Sequence, residues 1–327
     1  MARIFFDNDA DIEPLRSLNI GVIGYGNQGR AQALNLRDSG LAVWVGTREG
    51  SPARVQADKD GFPPRSIQEV ANNCEVLAVL LPDEVVPSVY TDEIEPYLEA
   101  HDTFVFAHGF TVQHKTVRLP DDADIVLVAP TGPGRQLRSL YEEGKGLPAL
   151  VAVEQDASGL AWRRCLAYAR AIGCTRSGAI ETTFKEETIT DLFCEQAVLC
   201  GGIPELIKAS FTTLVERGYQ PELAYISCLK EVKLIADLLF ERGIDGMRQA
   251  ISNTAKYGSA LAGPEIINTA TAERLDSILT EIESGAFAGM FLQEAAHGLP
   301  TVKELLASER RSRLARTGRD LKNSLKF

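Results

Sequence analysis

Hydrophobic and polar positions follow two rhythms along this chain. Up to about residue 178, short β-branched runs alternate with stretches of helical spacing, as in repeated strand–helix–strand units. The runs fall at residues 19–23, 41–45, 76–81, 103–107, 125–129 and 148–153, with Pro82 and Pro130 closing two of them, and a helix is predicted from about 157 to 171. Strands this apolar on both faces suit a buried parallel sheet. From Glu186 onward helical periodicity dominates and strand patterns vanish. The change predicts an α/β doubly wound sheet over residues 1–182 and an all-helical domain over 183–327. The helical half is apolar enough to bury part of its surface in a homo-oligomer.

The helical half opens with an unusual pair. Asp191 and Glu195 lie four apart in the apolar run 189–200, and nothing basic stands between Ile189 and Ile203. On a helix they share one face. Two buried anions without a counter-charge are too costly to keep, and a hard divalent cation such as Mg²⁺ or Ca²⁺ resolves that cost.

The first strand runs directly into Gly24-Tyr25-Gly26-Asn27-Gln28-Gly29, followed by a helical pattern. In that setting the glycines allow a tight turn, close approach of a pyrophosphate and close helix–strand packing, which predicts a dinucleotide site. The second strand ends in Gly46-Thr47-Arg48-Glu49-Gly50-Ser51 rather than in a lone acid for a ribose 2′-hydroxyl. Arg48 with Ser51, and Arg54 beyond, could hold a 2′-phosphate, favouring NADPH. His108 and Thr131 each follow a strand closely, where ligands of doubly wound sheets sit, so both should border the nicotinamide. A structural, hydrogen-bonded histidine is the other reading of His108.

The formal net charge is −11, which argues against nucleic acid or an anionic membrane as partner. No apolar stretch in the sequence approaches a membrane span, and residues 1–9 lack a signal-peptide core, so a cytosolic protein is expected. The six cysteines form no Cys-x-x-Cys pair and read as small buried residues in a reducing compartment.

Across nearly its whole length the chain resembles short-form (class I) ketol-acid reductoisomerases. The resemblance rests on the opening 7–11, the 24–29 fingerprint, 81–85 (with Pro82 and Asp83), 107–110, Ala129-Pro130, Gly132-Pro133-Gly134, 181–188, 190–193, 195–202 and 251–255. It implies a Rossmann domain joined to a knotted helical domain, with NADPH and Mg²⁺ as cofactors. It also implies homodimers or assemblies of dimers with active sites shared across the interface. The implied reaction is a Mg²⁺-promoted alkyl shift in a 2-acetolactate-type substrate, then reduction by NADPH, in branched-chain amino-acid synthesis. By matching position, Asp191, Glu195 and Glu231 are metal ligands, Ser252 contacts the substrate carboxylate, and His108 is the active-site histidine. Gly24 to Gly29, Pro82, Asp83, His108 and Gly134 border the cofactor.

Departures from the pattern fall on the chemistry. Thr131 stands for the family lysine and Ser227, on the substrate side, for a metal-side glutamate; Cys194 replaces a usual glycine and Arg30 a usual histidine. Three carboxylates remain where four balance two Mg²⁺, so one or two ions are expected, the second more weakly held. An alkyl shift needs metals clamping adjacent oxygens, whereas hydride transfer needs an oriented carbon and a stabilised developing charge. The expectation is a reductase of a small 2-oxo acid, ketone or imine whose isomerase step is impaired or lost. The alternatives are a working reductoisomerase, with Lys185 or Arg135 covering for the lysine, and a non-catalytic nucleotide-binding protein.

Overall fold

A computed structural model describes residues 2–98 and 102–324. The chain divides into two compact units, Met1–Thr190 and Asp191–Phe327.

The first unit is built on an eight-stranded sheet of β1 (Ile4–Phe5), β2 (Asn19–Ile23), β3 (Ala42–Gly46), β4 (Val76–Val79), β5 (Thr103–Phe106), β6 (Asp124–Pro130), β7 (Ala149–Gln155) and β8 (Ala179–Glu181). Their order across the sheet is β1-β8-β7-β6-β5-β4-β2-β3. Strands β3, β2, β4, β5 and β6 are mutually parallel, the doubly wound core that the apolar runs predict. Beyond β6 the sheet is mixed: β7 is antiparallel to β6, and the short β1 runs antiparallel to β8 at the far edge. The helices around the sheet include α1 (Asn27–Asp38), α2 (Pro52–Lys59), α3 (Gly134–Glu142) and α4 (Ala161–Ala171). One face of the sheet buries Val22, Val105 and Val126 against α1 and α4, with Leu36 and Tyr168 fully covered. The other face buries Leu77, Phe104, Phe106 and Leu127.

One ion pair lies within these layers. Asp124, fully buried at the start of β6, accepts from the Ser158 N–H (2.9 Å) and hydroxyl (2.6 Å) and pairs with Arg164 Nη1 of α4 at 3.1 Å. The same Nη1 donates to Thr103 Oγ1 at 2.7 Å, so one guanidinium ties α4 to the starts of β5 and β6.

Helix α5 (Phe184–Cys194) carries the chain from the first unit into the second. A π-helical turn, Glu195–Leu199, follows and leads to α6 (Gly202–Glu216), α7 (Glu231–Ala250) and α8 (Asn253–Ile266). The turn closes through Cys200 N–H to the Glu195 carbonyl at 2.8 Å. The helical run Phe184–Glu216 is 33 residues long and apolar enough to cross a membrane by length and composition. This corrects the expectation that no stretch reaches that length. Asp191 and Glu195 interrupt the apolar run in sequence without ending the helical winding, and a turn at Cys200 and Gly201 separates the π-helical segment from α6. The second unit's small core gathers Phe211, Val215 and Ala224, while α7 and α8 bury no residue. Phe240 is 92% exposed and Tyr257 71%.

Candidate active site

The fingerprint turn sits where its spacing predicts, between β2 and α1. A Cβ at Gly29 would fall 2.1 Å from the Gly24 carbonyl oxygen, so only glycine lets the helix start this close to the strand. A cleft of about 290 Å³ opens beside the turn, lined by Gly26, Asn27, Gln28, Pro82, Asp83 and His108. Six expected cofactor residues of the first unit thus share one cleft at the carboxyl ends of the strands.

Several side chains near the turn serve the fold instead. The Tyr25 ring is buried, and its hydroxyl donates to Asp60 at 2.9 Å. Asn27 Oδ1 accepts the Gly134 N–H at 2.6 Å, and Gln28 Nε2 donates to the Gly132 carbonyl at 2.8 Å. Their backbones, not their side chains, are what the cleft offers a phosphate. Arg30 clasps Asp60 through Nε (2.6 Å) and Nη2 (3.0 Å). Hydrogen bonds from Arg30, outweighing the cost of burial, hold the Asp60 carboxyl at about 2, below its ordinary 3.8. A depressed carboxyl favours the folded state once ionised, so its contribution is full above about pH 4 and is lost as pH falls towards 2. The melting-temperature difference between the protein and an Asp60→Asn variant is therefore expected to shrink across that window. A constant difference would show that the pair does not titrate with folding.

On the ribose side, Ser51 caps α2: its hydroxyl donates to the Arg48 carbonyl at 2.7 Å and accepts the Arg54 N–H at 3.2 Å. Arg54 Nη1 points back to the carbonyls of Thr47 (3.4 Å) and Arg65 (3.2 Å). Arg48 is exposed and without a side-chain partner among the described residues, so it is the cation this loop presents.

His108 follows β5. Its Nδ1 lies 3.0 Å from Glu187 Oε1, and the Gly109 N–H donates to Glu187 Oε2 at 2.7 Å. Glu187 is 4% exposed, and a Cβ on Gly109 would fall 2.9 Å from its Oε2. Glycine at 109 is what lets the carboxylate reach both groups. His114, nearby, has its pKa lowered by burial first and by His108 second. Glu187 was not singled out from the sequence. Its position four residues before Asp191 on the α5 pattern was the available clue, because it extends the Asp191–Glu195 stripe by one turn.

The burial expected for Asp191 and Glu195 is not found; both are exposed in this chain, Glu195 at the start of the π-helical turn. Asp191 stands four residues after Glu187 on α5, one helical turn further along. Exposed carboxylates are the donor type a hard cation takes, so Asp191 and Glu195 fit Mg²⁺ in kind. Both Glu187 oxygens are engaged, so that residue supports His108 and the Gly109 backbone. Thr131, exposed after β6, turns its hydroxyl to the Pro148 carbonyl at 2.9 Å, and its N–H reaches the same oxygen. Ser227 lies in a π-helical turn, Ile226–Lys230, beside an apolar cavity of about 550 Å³ lined by Ile203, Leu206 and Val232. Ser252 caps α8, accepting the Ala255 N–H at 3.2 Å.

Residues 14–178 match the family described as acetohydroxy acid isomeroreductase, NADPH-binding domain, and residues 184–327 match the ketol-acid reductoisomerase C-terminal domain. Among solved structures, an NADH-preferring ketol-acid reductoisomerase from an uncultured archean is 40% identical, with 99% of this chain and 100% of that one covered at a TM-score of 0.96. A semialdehyde dehydrogenase NAD-binding protein from Cupriavidus necator is 18% identical, with 82% of this chain and 99% of that one covered, TM-score 0.62. A pyrroline-5-carboxylate reductase from Coxiella burnetii is 16% identical, with 84% and 98% covered, TM-score 0.55. At these last two identities the likeness is one of fold.

Proposed function

The chain belongs to the ketol-acid reductoisomerase family, and from that premise we propose that it is an NAD(P)H-dependent reductase of a small 2-oxo acid, related ketone or imine whose isomerase step is impaired or lost. The observation that carries the reading is Thr131. Its hydroxyl is tied to the Pro148 carbonyl, so the position of the family lysine holds neither a charge nor a long side chain. Ser227 supports the same reading, since a hydroxyl replaces a carboxylate where two metals need balancing. The reductive half keeps its parts. The fingerprint backbone binds the pyrophosphate, Pro82 and Asp83 border the cleft, and His108 stands at the strand end where the reacting carbon is presented.

In this reading Glu187 accepts from His108 Nδ1 and supports the protonated ring, so the Nε2 proton of the imidazolium passes to the oxygen, or to the imine nitrogen, as hydride reaches the carbon, leaving the neutral Nδ1–H ring. Ser252 retains a hydroxyl proton for a substrate carboxylate. Asp191, Glu195 and Glu231 would hold Mg²⁺, which would supply Lewis-acid polarisation when bound. The uncovered apolar surfaces of α7 and α8 support an assembly of two or more copies, in which a partner would complete the carboxylate set. Arg48 supports NADPH over NADH, against the preference in the name of the archaeal relative.

The test follows cofactor oxidation with Mg²⁺ on 2-acetolactate and on 3-hydroxy-3-methyl-2-oxobutyrate, with NADPH and NADH in parallel. The second substrate needs reduction only, and we expect it alone to turn over, faster with NADPH. Ordinary rates on 2-acetolactate would overturn the loss of isomerisation and restore the full family reaction. No turnover of either would direct the search to imines.

A further inference from the structure

We propose that Arg135 is the cation of this chain that meets the cofactor's pyrophosphate. A second cavity, of about 580 Å³, borders the fingerprint turn, and Gly26, Asn27, Arg30, Gly134, Arg135 and Arg138 are among its lining residues. It meets the nucleotide cleft at Gly26 and Asn27, the turn over which a dinucleotide's phosphates lie.

Three guanidiniums face this cavity, and their partners separate them. Arg30 is held by both Asp60 oxygens. Arg138 pairs with Asp38 at 2.6 Å and Glu142 at 2.9 Å. Arg135 is exposed and has no carboxylate within ion-pair distance among the described residues. Two of the three positive charges are neutralised within the protein and the third is left for a ligand. In a chain of net charge −11, an uncompensated cation beside the phosphate turn counts for more than one in a basic field.

The fold also fixes where Arg135 stands. The preceding residue, Gly134, donates its N–H to Asn27 Oδ1 at 2.6 Å, and a Cβ there would fall 2.0 Å from the Asn27 carbonyl oxygen. Only glycine permits this contact, which presses the start of α3 onto the start of α1. The next side chain is therefore held at the rim of the turn, and its planar donors suit a phosphate oxygen pair.

The experiment titrates the full-length protein and its Arg135→Ala and Arg135→Lys variants with NADPH, ADP-ribose and adenosine 2′-monophosphate, at low and high salt. Arg135→Ala is expected to weaken NADPH and ADP-ribose roughly three- to tenfold at low salt, the scale of one partly exposed charge pair. The deficit should narrow at high salt, Arg135→Lys should recover part of it, and adenosine 2′-monophosphate, which lacks a pyrophosphate, should bind as before. Unchanged ADP-ribose affinity would overturn the assignment. So would an equal loss for adenosine 2′-monophosphate, which would place the guanidinium on the ribose phosphate instead. These are binding measurements, so they stand whatever substrate the enzyme reduces.

Discussion

Replacing Glu187 by glutamine is expected to lower kcat for reduction by about two to three orders of magnitude, while leaving the protein folded. The carboxylate makes two contacts at once, to His108 Nδ1 at 3.0 Å and to the Gly109 N–H at 2.7 Å. Both of its oxygens must accept. A glutamine keeps one acceptor oxygen and turns an NH₂ towards the other donor. Either the backbone bond or the histidine bond is then lost, and the ring is free to take the wrong tautomer. The charge that stabilises a protonated imidazole is lost as well. The effect should fall on kcat more than on cofactor affinity, because Glu187 touches neither the fingerprint turn nor the Arg48 loop. Steady-state kinetics across pH, with a thermal melt as a check on folding, measures it. A kcat within threefold of the parent would remove Glu187 from the mechanism and leave His108 as a structural histidine.

Asp124→Ala is the stability counterpart. Asp124 is fully buried and Arg164 14% exposed, so removing the carboxylate takes a buried charge from beside the guanidinium and strips the Ser158 N–H of its acceptor. Breaking one side of a buried pair costs about 3–5 kcal/mol. For a unit of this size that is roughly 6–20 °C in melting temperature. Urea unfolding of the protein and variant gives the number directly. A loss below about 1 kcal/mol would show that Arg164 finds an equivalent partner, Thr103 being the neighbour already in reach.

The central strands were readable because burial on both faces leaves an uninterrupted apolar run, and β2 to β7 all coincide with such runs. β1 and β8, of two and three residues, are too short to show any period, and a pairing across the whole unit defines them. The fingerprint was equally legible, since each glycine answers a backbone constraint that a spacing can express. Side-chain direction was not. Tyr25, Asn27, Gln28 and Ser51 stand at cofactor positions by spacing, yet each hydrogen-bonds part of the fold. The acids Asp191 and Glu195 are legible by their spacing but their exposure is not, because an apolar run does not reveal which of its faces is covered. Glu187 was passed over for the converse reason. Its burial depends on Gly109 approaching from another element, a contact that leaves no local trace.

The passage of the chain from one unit to the next within α5 has a consequence for descent. Everything before that point builds the nucleotide cleft, His108 and Glu187; Glu195, Ser227, Glu231 and Ser252 all come after it. A lineage could therefore accumulate replacements in its later half, as Ser227 and Cys194 illustrate, while the earlier half, whose own replacements fall at Arg30 and Thr131, keeps the fingerprint, His108 and Glu187. New substrates would be tried on an electron supply that never had to be reinvented.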